Sequence, residues 1–131
     1  MGPAATPGGN ETVLIVDDNE NVRDVSTVIV GNLGYQVQTT GDATEALALI
    51  RSHCGIDLLV SDIVMSGGVN GFELARRARV LRPGLPVLLM SGYPAGGIGK
   101  CDFPILHKPY RRGQMAMHLR AALGDPVVVD V

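Results

Sequence analysis

Short apolar runs recur along this chain, each followed by a longer segment whose apolar residues return every three or four positions. That alternation limits the fold more than any other feature, because strands separated by helical segments stack as β-α units around a parallel sheet. Five runs read as strands, at residues 13–16, 36–39, 58–61, 86–90 and 105–107. Three of them, 13–16, 58–61 and 86–90, are almost continuously apolar, as strands are when helices cover both faces.

The intervening segments carry helix punctuation. Residues 21–33 place Val22, Val25, Ile29 and Leu33 on one face, with Gly34 as the stop. Asp42 opens a second helix and stands in capping-box spacing to Glu45, ahead of Ala46, Leu47 and Ile50. Asn70 and Glu73 repeat the pattern ahead of Leu74, Ala78 and Leu81, and Pro83 with Gly84 closes that third helix. Met115, Leu119, Ala122 and Leu123 form a last amphipathic face ended by Gly124. Residues 92–103 hold four glycines and a proline, so a short or missing helix is expected between the fourth and fifth strands.

A chain of 131 residues with 46% apolar and 18% charged residues can bury one core of ordinary size. Residues 1–10 read as a flexible lead-in, 11–123 as the folded domain and 124–131 as a tail. The net charge of -2 and the lack of any long basic run argue against nucleic acid or an anionic membrane as partner. Any DNA output would belong to another polypeptide or another part of a parent chain. Cys54 and Cys101 stand apart from each other and from any Cys/His cluster, which fits a reducing compartment and no zinc site. With no apolar stretch long enough to span a bilayer and no secretory leader, a cytoplasmic location is expected.

In open parallel sheets, ligands bind beyond the carboxyl ends of the strands. Asp17 and Asp18 follow the first strand there, Asp62 the third, Ser91 the fourth and Lys108 the fifth. Taken singly these are ordinary residues: Asp pairs and Ser-Gly are common in turns and caps, and a Lys before Pro is usually solvated surface. Together they place three carboxylates at one end of the sheet, an arrangement costly to hold without a cation between them. Carboxylates and carbonyls suit a hard divalent ion such as Mg²⁺. Lys108 and Ser91 would help the metal hold a phosphoryl group while an Asp62 oxygen attacks in line.

The blocks VLIVDDNENVRD, LLVSDIVMSGGVNGFEL, PVLLMSGY and ILHKPY resemble successive motifs of the response-regulator receiver family, and the likeness runs from about residue 11 to 123. The resemblance implies a flavodoxin-like, doubly wound five-stranded parallel sheet of order 2-1-3-4-5. It implies that Asp62 is the phosphoacceptor, that Asp18 ligates the metal directly and Asp17 largely through water, and that the main-chain carbonyl of Val64 is a further ligand. Ser91 would be the switch hydroxyl and Lys108 the cation on the phosphoryl oxygens. The implied partners are a sensor histidine kinase or a phosphotransfer protein, with a homodimer possible.

Three departures from the family pattern stand out. Ser66 replaces a usual proline and the loop has one extra residue, as in receivers attached to hybrid sensor kinases. Ile105 occupies the place of the usual switch aromatic, and the spacing from Ser91 to Lys108 is short. Val64 and Tyr93 flank the site where relatives help hold the hydrolytic water, so the phosphoryl group is expected to be long-lived. Two other classes compete with this reading. A phosphate-independent interaction module would keep the fold, but all five site positions are retained. A phosphatase of the haloacid dehalogenase-like type would need D-x-D after its first strand, whereas Val64 stands two residues after Asp62. No glycine-rich nucleotide motif is present; Gly67, Gly68 and Gly71 read as the turn above the site.

Overall fold

The computed structural model describes residues 11–52, 55–65, 70–92, 103–108 and 110–124. Five strands and four helices stand among them: β1 (Thr12–Val16), α1 (Glu20–Asn32), β2 (Gln36–Thr40), α2 (Ala43–Ser52), β3 (Leu58–Asp62), α3 (Gly71–Leu81), β4 (Val87–Ser91), β5 (Ile105–His107) and α4 (Arg112–Ala122). The strands form one parallel sheet of order β2-β1-β3-β4-β5, the doubly wound flavodoxin-like arrangement. The three almost continuously apolar runs are its three central strands, β1, β3 and β4.

Strand alternation divides the core into two layers. Val13, Ile15, Leu58, Val60, Leu88 and Met90 face one side with Val30 and Leu33 of the first helical segment and Met115, Ala116 and Leu119 of α4. Leu14, Val16, Leu59, Val87 and Leu89 face the other side, against Ala46 and Ile50 of α2 and Leu74, Ala75 and Ala78 of α3. Helices therefore close both faces, which removes water from the strands and explains their unbroken hydrophobicity.

Each expected capping pair is seen in its first half, the bond accepted by the capping side chain, while Glu73 pairs instead with Arg76 and Arg77. Asp42 Oδ1 accepts the Thr44 N–H at 2.8 Å and Asn70 Oδ1 accepts the Glu73 N–H at 2.9 Å. Gly34, at φ 101°, takes the left-handed conformation that ends α1.

The buried face of α1 differs from the one its apolar spacing predicts. The structure buries Ser26, Val30 and Leu33, leaves Ile29 half-buried and exposes Val25 at 58%. A polar residue can occupy the inward stripe because the Ser26 and Tyr110 hydroxyls share a hydrogen bond of 3.3 Å. The expected short or missing helix between β4 and β5 falls on residues of which 93–102 lie outside the described residues, as do the lead-in, residues 125–131 of the tail, Cys54, Cys101, Ser66, Gly67, Gly68 and Tyr93.

Candidate functional site

Pairing of β1 with β3 ends with Val16 opposite Ser61, so the next residues, Asp17 and Asp62, emerge side by side. The strand order reverses around β1, which makes this edge the crevice of the doubly wound fold. One oxygen from each of Asp17, Asp18 and Asp62 lies within 4.8 Å of the others. Lys108 arrives from the end of β5, where its N–H donates to the Ser91 carbonyl at 2.7 Å. Its Nζ stands 3.2 Å from Asp62 Oδ1 and 3.9 Å from Asp17 Oδ2. Ser91, at the end of β4, is buried. The five residues singled out in the sequence all stand at this end of the sheet.

Their environments differ. Asp17 is 1% exposed, Asp62 is partly buried and Asp18 is exposed. Asp17 Oδ1 accepts the Asn19 N–H at 2.9 Å, while Oδ2 is buried with no hydrogen-bond partner among the described residues. Burial raises the Asp17 carboxyl above its ordinary range, and the charges of Asp62 and Asp18 push the same way; the Asn19 N–H and Lys108 oppose the rise without cancelling it. A buried acceptor oxygen beside two more carboxylates is a donor set suited to a hard cation, so the residues fit a magnesium ion.

The supporting backbone is tight. Gly71 begins α3 directly against β3: its N–H donates to Ile63 O at 2.8 Å, and a Cβ there would collide with the Asp62 carbonyl and Ile63 Cα. Gly71 thus serves close approach rather than the turn its spacing suggested. Val64 lies just beyond the site with its side chain exposed, and Ile105 packs half-buried into the α2–α3 layer.

Two features escaped the sequence reading. Asn19 caps α1, its Oδ1 accepting the Val22 N–H at 3.1 Å, a signal available in the Asn-x-x spacing. An open apolar groove also runs along α1 beside the site, lined by Asn21, Val22, Val25, Ser26, Ile29, Lys108 and Tyr110.

Comparison with known proteins gives a consistent picture. Residues 13–97 match the family described as response regulator receiver domain. The DNA-binding transcriptional regulator NtrC of Azospirillum brasilense is 36% identical over 80 residues, 61% of this chain and 16% of that protein. The sensor kinase CckA of Brucella abortus is 30% identical over 121 residues, 88% of this chain and 13% of that protein. The chain thus spans a small part of the length of these relatives. Among solved structures, a response regulator receiver protein from Sinorhizobium medicae superposes with a TM-score of 0.77 at 26% identity, covering 87% of this chain and 94% of that one. The receiver domain from the hybrid histidine kinase CckA gives 0.72 at 33% identity, covering 86% and 98%.

Proposed function

The chain belongs to the response regulator receiver family of two-component signalling, and from that premise we propose that it accepts a phosphoryl group on Asp62 from a phosphohistidine, in a reaction that requires Mg²⁺. The observation that carries this reading is the convergence of Asp17, Asp18 and Asp62 within 4.8 Å, with the Lys108 ammonium 3.2 Å from Asp62. Asp17, Asp18 and Asp62, with the main-chain carbonyl of Val64, would hold the metal. When bound, magnesium supplies positive charge that offsets both the crowded carboxylates and the phosphoryl oxygens.

In the transfer, an Asp62 carboxylate oxygen forms the new O–P bond as the P–N bond to the donor imidazole breaks, and the bonding pair leaves with the histidine nitrogen. Lys108 holds the phosphoryl oxygens by charge, and the Ser91 hydroxyl donates to them. The chain promotes only its own phosphorylation and slow dephosphorylation, and turns over no separate substrate.

The donor is a sensor histidine kinase or a phosphotransfer protein, and the apolar groove on α1, whose lining includes Lys108 beside the acceptor, suits an apolar helix face. No helix among the described residues is long and apolar enough to cross a membrane. A cytoplasmic domain at 11–123, within a longer signalling protein or alone and able to form a homodimer, fits this role.

Calorimetric titration with magnesium tests the site. The wild type binds, and Asp18→Ala binds at least tenfold more weakly; absent binding in the wild type, or equal binding in the variant, contradicts the assignment.

A further inference from the structure

The loop that carries the two neighbouring aspartates is gripped from outside the site. Arg23, one turn into α1, turns its guanidinium back and donates from Nη1 to the Asp17 carbonyl at 2.8 Å. Residue 41 is glycine, and a Cβ there would lie 2.6 Å from the same Nη1, so a larger residue obliges the guanidinium to shift, while the Asp17 carbonyl oxygen at 3.5 Å would be in ordinary contact. We propose that Arg23 and Gly41 form a clamp on the Asp17 main chain, with Arg23 acting as a positioning residue for the magnesium site.

The peptide bond is planar. Holding the Asp17 carbonyl restrains the plane of the Asp17 to Asp18 peptide, and with it the position of the Asp18 N and Cα from which the side chain departs. Two further hydrogen bonds sit on either side: the Asp17 N–H donates to Thr40 O at 3.2 Å, and the Asn19 N–H to Asp17 Oδ1 at 2.9 Å. The Arg23 N–H donates to Asn19 O at 2.9 Å, and its carbonyl accepts the Thr27 hydroxyl at 2.7 Å, so the clamp is anchored in the helix that follows the loop. Three elements, β1, α1 and the turn after β2, thereby converge on one peptide group. A guanidinium is suited to the task because it stays charged and holds a fixed donor geometry.

This inference rests on the assignment of Asp17 and Asp18 to the metal, and its test separates the two. Magnesium titrations compare the wild type with Arg23→Ala, Gly41→Ala and the double variant. Arg82→Ala is the control, since Arg82 also donates to a main-chain carbonyl, that of Ile56, at the opposite end of the sheet. The expected result is a loss of affinity of about tenfold for Arg23→Ala, the scale seen when a group supporting a metal ligand is removed. Gly41→Ala weakens binding in the same direction, the double variant is no worse than Arg23→Ala, and Arg82→Ala binds as the wild type does.

A metal-free readout accompanies the titrations. Hydrogen exchange at the Asn19 amide should be faster in Arg23→Ala and Gly41→Ala, and unchanged in Arg82→Ala. Wild-type magnesium affinity in folded Arg23→Ala, or losses that multiply in the double variant, would overturn the clamp. If Arg23→Ala does not fold, Arg23→Met, which keeps the length of the side chain without its donors, decides alone, with unchanged affinity counting against the proposal. A wild type that binds no magnesium would instead sink the metal assignment on which the clamp depends.

Discussion

Asp17 is the residue on which the energetics of the site turn. Its Oδ2 is buried without a hydrogen bond among the described residues, and its carboxyl is raised first by burial and then by Asp62 and Asp18. Between the ordinary carboxylate value and that raised value, the folded state holds a proton that the unfolded chain has released. The metal-free protein therefore loses stability as pH rises through this window, and gains it as pH falls through it. Thermal melting without metal at neutral and mildly acidic pH should show that gain, and Asp17→Asn should abolish it while raising the neutral-pH melting temperature. The rise should correspond to about 1 kcal/mol, or a few degrees for a domain of this size. Asp62→Asn should gain less, because it also gives up the ion pair with Lys108. Magnesium affinity should move oppositely to apo stability, weakening as pH falls, because a proton on Asp17 competes with the metal. Affinity unchanged by acidification would show that Asp17 does not titrate where burial places it. The candidate carboxylates were legible because they stand at the ends of strands, but their unequal burial was not, since it is set by contacts made only in the folded chain.

Helix α1 links the site to its surroundings and shows where sequence periodicity misleads. Four apolar residues at helical spacing marked one face as core, yet the buried stripe runs through Ser26, Val30 and Leu33, and Val25 and Val28 remain 58% and 61% exposed. The pairing of Ser26 with Tyr110, 84 residues away in sequence, was invisible to any local pattern. The exposed valines fit a docking role, so Val25→Glu should slow phosphoryl transfer from a kinase or phosphotransfer protein by tenfold or more while leaving phosphorylation by a small-molecule phosphodonor unchanged. Equal slowing with both donors would place Val25 in the chemistry rather than in recognition. Asn19→Ala should cost about 1 kcal/mol through loss of the α1 cap, read as a lower urea midpoint. The central strands were legible for the reason that β2 was less so: burial on both faces leaves only apolar residues, whereas β2 lies at the edge and carries Gln36, Gln38, Thr39 and Thr40.

At the scale of the whole molecule, two apolar layers hold a parallel sheet whose carboxyl end gathers chemistry from four strands. The order of β-α units and the residues after each strand were enough to anticipate that gathering, because topology alone brings strand ends together. How the gathered groups are held was not, since Lys108 reaching Asp62, Gly71 seated against the Asp62 backbone and Arg23 bonded to Asp17 are contacts of the folded chain. The central claim is that Asp62 receives the phosphoryl group with the help of magnesium, and site-resolved mass spectrometry after incubation with a small phosphodonor tests it most directly. The account predicts one acid- and base-labile phosphoryl group on Asp62, dependent on magnesium and absent from a folded Asp62→Asn variant; labelling that persists in that variant, or that proceeds equally well without the metal, would contradict it.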